Sequence, residues 1–328
     1  MGACTMAHML AAFVEKLVPE APLDGLVVGE QPAPAERELW TTVQVKVAAL
    51  NHHDLWALKG VGLSDKQLPM ILGTDAAGIA PDGSEVIVHG VIGGDGVGVD
   101  SHEGRSLLSE KYPGTLAEYV SVPTANLIPK PTELTFQEAA CLPTAYLTAY
   151  TMLFRAAKLQ PGHSVLVQGA GGGVATAAIV LGKAAGLEVY ATSRSNGKRE
   201  QALKLGAVWA GAPGDRLPKR VDAVVESVGA ATWAHSIRSV RPGGTIAVCG
   251  ATSGDAPSAE LTRVFFNEIK VVGVTMGSRV DLEALAHFLV ATGARPLIDS
   301  EFQLADVKKG LARLASGYQT GKIVINVS

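Results

Sequence analysis

The sequence predicts an α/β protein in which a doubly wound, six-stranded parallel sheet is inserted into a β-rich domain built from both ends of the chain. Three observations predict it. Between residues 164 and 275, six short apolar runs alternate with helical stretches, the pattern of strands covered by helices on both faces. A glycine cluster, Gln168-Gly-Ala-Gly-Gly-Gly-Val-Ala-Thr176, stands between the first run and the first helix. The chain before about Val122 reads instead as short strands and turns, and 328 residues suit two domains of about 150 each.

Residues 1–8 read as a loose leader. Thr42-Val-Gln-Val-Lys-Val47 alternates polar and apolar, as a half-buried strand does, and Glu85–His89 and Leu116–Val122 read alike. Gly90–Gly104, with Gly93, Gly94, Gly96 and Gly98, reads as a mobile surface loop. The six strands are Ser164–Gln168, Leu187–Thr192, Ala207–Ala210, Val221–Ser227, Thr245–Cys249 and Lys270–Thr275. The intervening helices are Val174–Gly186, Gly197–Leu205 and one near 231–240. Helices near 281–293 and 304–316 and a strand Lys322–Val327 complete the chain.

Composition narrows the function. Net charge is -3 with no basic stripe, which argues against a nucleic-acid partner. A charged fraction of 18% and a hydrophobic fraction of 47% describe a globular chain. Cys4, Cys141 and Cys249 are too few and too far apart for a disulfide framework or a four-cysteine zinc site, so a reducing, cytoplasmic setting is expected. Ser164–Gly182 is uncharged and long enough to suggest a membrane span. Its glycines, each costing about 1 kcal/mol in a helix relative to Ala, break it into strand, turn and helix.

The glycine cluster follows a strand and opens a helix, the context that dinucleotide binding requires. Glycine lets the backbone approach a pyrophosphate whose charge rests on the helix N-terminus. At the usual spacing the three positions are Ala170, Gly172 and Ala175. The end of the second strand selects the cofactor. A carboxylate there would accept hydrogen bonds from a ribose 2′-hydroxyl, but Thr192-Ser-Arg-Ser-Asn-Gly-Lys198 holds none before Glu200. Ser193, Arg194 and Lys198 suit a 2′-phosphate, so the expected cofactor is NADPH.

Several further motifs resemble the medium-chain dehydrogenase/reductases, in particular their zinc-free quinone oxidoreductases. They are Asn51-His-His-Asp54 followed by Gly60, Leu68-Pro-Met-Ile-Leu-Gly-Thr-Asp-Ala-Ala-Gly78, Gly114-Thr-Leu-Ala-Glu-Tyr-Val120 and Glu138–Tyr150. Gly169–Ala175, Arg241-Pro-Gly-Gly244 and Gly321-Lys-Ile-Val324 complete the set, and the similarity runs over about residues 9–328. The resemblance implies a GroES-like catalytic domain, residues 1–133 and 277–328, and a Rossmann domain, residues 134–276. It also implies a homodimer paired through the apolar edge strand 270–275.

Zinc alcohol dehydrogenases of this family place a Cys at Asn51, a His and a Glu at Thr74 and Asp75, and another Cys near Thr144. Amide and hydroxyl oxygens do not replace thiolate and imidazole on Zn²⁺, so no metal is expected. His52-His53-Asp54, read as extended, points adjacent side chains opposite ways and does not gather on one ion. The quinone oxidoreductases commonly carry a Tyr a few residues after Gly60, where this chain has Gly62.

The function expected is hydride transfer from NADPH to a small electrophile, a quinone or an α,β-unsaturated carbonyl. Asn51 is the leading donor to the developing oxyanion, Asp54 orders the pocket, and Thr74 completes the catalytic set. Trp56, Thr144 and Tyr146 are the pocket candidates. The resemblance places Thr148, Gly172, Gly173, Val174, Ser193, Arg194, Lys198, Gly250, Thr252 and Lys322 beside the cofactor. Cys141 and Cys249 read as packing residues. The rival readings are a non-catalytic NADPH-binding protein and a zinc-type alcohol dehydrogenase.

Overall fold

A computed structural model describes residues 8–93 and 104–328. They form two compact units. One holds the described residues up to Thr144 together with Ser278–Val290 and Ile298–Ser328; the other holds Ala145–Gly277 and Ala291–Leu297.

The first unit is built on a seven-stranded sheet. Its order is Leu127–Pro129, Glu85–Val88, Asp75–Ile79, Trp40–Ala49, Lys322–Asn326 and Ile298–Gln303, with Tyr119–Pro123 also pairing with Trp40–Ala49. The central strand owes its place to its alternation: Val43, Val45 and Val47 are buried while Thr42, Gln44 and Lys46 are partly open. Val43 and Val45 join Val88, Leu116, Ile323 and Ile325 in the unit's main core. A three-stranded sheet, Leu26–Pro32, His8–Val14 and Met70–Ile71, lies in the same unit.

Several details differ from the sequence reading. His8 already belongs to a strand, and residues 1–7 of the expected leader lie outside the described residues. The Gly90–Gly104 loop begins as a strand, Val91–Ile92, paired with Ser106–Leu107; its residues 94–103 lie outside the described residues. His52-His53-Asp54 is not extended. It opens a helix, His52–Leu58, because the Asp54 carboxylate accepts the Asn51 backbone N–H at 2.8 Å and so caps the first turn. Residues 134–144 fall with the first unit, since helix Phe136–Ala140 packs on strands Trp40–Ala49 and Asp75–Ile79.

The second unit is a six-stranded parallel sheet. Its order is Trp209–Gly211, Glu188–Thr192, Ser164–Val167, Val221–Glu226, Val240–Val248 and Lys270–Gly273. The order reverses between the first strand and the fourth, and ligands of such sheets sit beyond the carboxyl ends of the strands at that point. All four residues of Ser164–Val167 are buried, as a strand covered on both faces requires. The fifth strand begins at Val240, five residues before the expected Thr245, and takes in the Arg241-Pro-Gly-Gly244 motif. Among the described residues, Lys270–Gly273 pairs on one side only, and it is largely exposed. Among the described residues, no helix is long and apolar enough to cross a membrane.

Candidate active site

The first unit buries an unusual set of polar side chains at the end of its central strands. Lys322, 2% exposed, donates from Nζ to the Leu50 carbonyl at 2.8 Å, to Asn51 Oδ1 at 2.7 Å and to Asp75 Oδ2 at 3.0 Å. These three acceptors use all three ammonium donors. Strand pairing explains the meeting, since Val324 lies opposite Ala49 and Ala49 opposite Asp75. Lys322 was expected beside the cofactor. Its ammonium is committed to this cluster.

The Lys322 contact fixes the Asn51 amide. An ammonium only donates, so the amide oxygen faces it and Nδ2 faces the other way. Nδ2 donates to Thr74 Oγ1 at 3.2 Å and, more weakly, to the Ala49 carbonyl at 3.4 Å. Thr74 Oγ1 in turn lies 3.0 Å from Thr144 Oγ1. Thr74 Oγ1 keeps a second lone pair after receiving the amide proton, so either hydroxyl of the Thr74–Thr144 pair can be the donor. Asn51 and Thr74 are buried, and Thr144 is the half-buried member. The sequence-predicted Asn51, Thr74 and Thr144 thus form one chain, with Lys322 as its unforeseen origin.

Asp54 is fully buried and holds two backbone amides, Asn51 N at 2.8 Å and Gly73 N at 3.1 Å. Burial pushes its carboxyl above the usual range, against the opposing pull of His53. His53 pairs through Nε2 with Glu110 Oε1 at 2.9 Å. Burial tends to lower the imidazole's pKa, but the Glu110 hydrogen bond and the Asp54 charge together raise it above 6.5. Gly62 makes room for Glu110: with φ +76, its missing Cβ would lie 2.8 Å from Glu110 Oε1.

In the second unit the glycine loop carries the features of an anion cradle. Gly171 has φ +121, and a Cβ there would lie 2.4 Å from Lys198 Cδ and 3.0 Å from its Nζ, so the lysine lies across the loop. A Cβ on Gly172 would meet nothing within 4 Å. Gly172 caps helix Gly173–Ala184 without a side-chain bond, so the first-turn amides of Gly173 and Val174 have no intrahelical acceptor. At the end of the second strand Ser193 is buried and Arg194 exposed. Arg199, which sequence reasoning passed over as part of a helix, folds back to donate from Nη1 to the Ser193 carbonyl at 2.6 Å. Nearby, Thr252 Oγ1 lies 3.4 Å from the Ser227 carbonyl, and a Cβ on Gly250 would come within 3.3 Å of the same oxygen.

The remaining candidates are placed as follows. Tyr146 is fully buried and its hydroxyl accepts the Leu297 N–H at 2.9 Å. Thr148 is buried in the same unit, and Trp56 is partly exposed beside His52. Cys141 is buried, donates to the Gln137 carbonyl, and has its thiol pushed up to about 12 by burial; burial does the same to Cys249. Among the described residues, no group of three His, Cys, Asp or Glu side chains is arranged to hold a metal.

Comparison with known proteins finds two family matches along the chain. A family model described as an alcohol dehydrogenase GroES-like domain matches residues 37–132, and one described as a zinc-binding dehydrogenase matches residues 173–291. A zinc-type alcohol dehydrogenase-like protein of Schizosaccharomyces pombe is 30% identical over 87% of this chain and 90% of its own. A 2-methylene-furan-3-one reductase of Solanum lycopersicum is 33% identical over 89% of this chain and 73% of its own. A crystal structure of an NAD-dependent alcohol dehydrogenase superposes with a TM-score of 0.88 at 32% identity, over 98% of this chain and 100% of that one.

Proposed function

The chain belongs to the medium-chain dehydrogenase/reductase superfamily of oxidoreductases, and we propose that it is a zinc-independent, NADPH-dependent reductase of that superfamily. Its substrate is a small electrophile, a quinone or an α,β-unsaturated carbonyl. The observation that carries this reading is the hydrogen-bond chain from Lys322 through Asn51 and Thr74 to Thr144.

The family resemblance puts that chain at the positions where zinc alcohol dehydrogenases place their metal ligands. Zinc does not fit it. Asn51, Thr74 and Thr144 offer only amide and hydroxyl oxygens, and the Lys322 ammonium lies 2.7 Å from one of them, where it would repel a dication. The same groups suit a different task. Reduction places negative charge on the substrate's carbonyl oxygen, and a chain of aligned donors is a preorganised place to receive it. Asn51, Thr74 and Thr144 line that place, and Lys322 supplies a fixed positive charge beside them. The proton that completes the reduction comes from solvent.

A nicotinamide cofactor fits the glycine loop, and its reduced ring supplies the hydride when bound. Gly172, Gly173 and Val174 offer backbone at the helix N-terminus, with Lys198 lying across the loop. Ser193, Arg194 and Lys198, with no carboxylate at the end of the second strand, favour the 2′-phosphate of NADPH. Support for an enone acceptor comes from the tomato relative, which is named a 2-methylene-furan-3-one reductase. We also propose a homodimer formed through the unpaired side of strand Lys270–Gly273. Phe265 and Phe266, 64% and 77% exposed, lie on the segment leading to this edge, and Val271 on the strand itself is exposed too.

The test is NADPH oxidation against a panel of enones, quinones and saturated aldehydes. The reading requires turnover of enones or quinones. Turnover confined to saturated aldehydes, or tight NADPH binding with no acceptor at all, would contradict it.

A further inference from the structure

The second unit carries a basic groove that the proposed reaction does not use. It lies between segment 214–220 and the C-terminal half of helix Ala230–Ser239, with a cavity volume of about 400 Å³. Arg216, Lys219, Arg220, Arg238 and Arg263 line it. These cations are scattered along the chain, so a molecule of net charge -3 folds them onto one face.

The local carboxylates are already committed. Glu188 pairs with Lys219, Glu260 with Arg263, and Asp222 with Arg241 at 2.7 Å. Asp222 also accepts the Ser164 N–H and hydroxyl, and Asp215 accepts the Ala212 N–H. Arg216, Arg220 and Arg238 are left, among the described residues, with no carboxylate partner, and all three are exposed. Behind them His235 is held in place, donating from Nε2 to the Asp215 carbonyl at 3.0 Å and accepting from Gln168 Nε2 at Nδ1. Segment 214–220 is thereby tied to the helix, and the groove's two walls are fixed relative to each other.

The groove's Arg220 end stands away from the glycine loop, while His235 at its back reaches Gln168 at the start of that loop. Arg220 precedes the first residue of strand Val221–Glu226, whereas the glycine loop follows the carboxyl end of the neighbouring parallel strand. Six residues at about 3.3 Å each put roughly 15–20 Å between the two edges.

We propose that this groove binds a small anion bearing two or more phosphates. Three guanidinium groups without counter-charges repel one another, and their forked donors match phosphate oxygens in pairs. The cavity is of the size that small-molecule sites occupy.

Calorimetric titration with inorganic triphosphate, and in parallel with adenosine 5′-triphosphate, tests the proposal. Three proteins are compared: the unmutated chain, the double variant Arg220→Gln with Arg238→Gln, and the double variant Arg194→Ala with Lys198→Ala at the glycine-loop side. The expected result is one-to-one binding that weakens at least tenfold in the first variant and stays within about twofold in the second. Equal affinity for the two ligands assigns recognition to phosphate alone, and tighter nucleotide binding adds the nucleoside to the same groove. Absence of saturable binding, or binding lost only in the Arg194 and Lys198 variant, overturns the proposal. Neither outcome bears on the reductase reading, which is measured by turnover.

Discussion

The Lys322 ammonium lies 2.7 Å from the Asn51 amide oxygen, and that contact decides which way the asparagine faces. Lys322→Met removes it and leaves Asp75 buried without its ion-pair partner. Stability should fall by about 3–5 kcal/mol, the usual cost of stranding one half of a buried pair. Replacing Asp75 by Leu in the same protein should recover part of the loss, while kcat stays low because Asn51 is no longer oriented. Urea unfolding read beside kcat separates the two effects. Recovery of both together would mean that Lys322 serves the fold alone.

Cofactor choice is the most local prediction. Arg194→Ala removes an exposed cation from the end of the second strand. A charge-assisted bond of roughly 1.5–3 kcal/mol corresponds to about a tenfold to hundredfold weaker NADPH complex, with NADH almost unaffected. Added salt should erode the preference. Fluorescence titration of both cofactors checks this, and equal dissociation constants in the unmutated protein would remove Ser193, Arg194 and Lys198 from the phosphate site.

The His53–Glu110 pair should make stability depend on pH. The folded pKa of His53 lies above its unfolded value near 6.5, so the folded state holds the proton more tightly. The pair's contribution is therefore fully present below about pH 6.5 and is lost as pH rises through the folded pKa. His53→Gln should flatten that slope. Urea unfolding at stepped pH values from 6 to 9 measures it, and a slope that persists in the variant would assign it to another group.

What could be read from the sequence, and what could not, follows from the range of the interactions. The six parallel strands were legible because each is an apolar run between turn residues, as in Ser164-Val-Leu-Val167. The helix at His52 was missed because His-His-Asp carries no apolar period. Its signal was the carboxylate three residues after Asn51, a capping pattern. Strand Ile298–Gln303 was missed as well, since Asp299, Ser300 and Glu301 interrupt its alternation. Asn51, Thr74 and Thr144 could be picked out by resemblance. Lys322 could not be joined to them, because it meets Asn51 only when strands 271 residues apart in sequence pair. Arg199 was hidden likewise, since a helical position says nothing of a side chain turning back to Ser193.

The edge strand Lys270–Gly273 should be covered in solution by a second copy. Phe266→Glu places a charge on the exposed apolar segment leading to that edge and should shift the protein from dimer to monomer. Light scattering at micromolar concentration reads the mass. A monomer before mutation, or a dimer untouched by it, would place the contact elsewhere or nowhere.

The central claim is that a hydroxyl chain anchored by Lys322, in place of a metal, supports the developing negative charge. The most direct measurement is kcat for enone reduction by NADPH before and after exhaustive chelation, with Thr144→Val measured alongside. Chelation should leave kcat unchanged, and Thr144→Val should lower it about a hundredfold to a thousandfold, as loss of one oxyanion donor does. Activity abolished by chelation and restored by Zn²⁺, with Thr144→Val still fully active, would contradict the account.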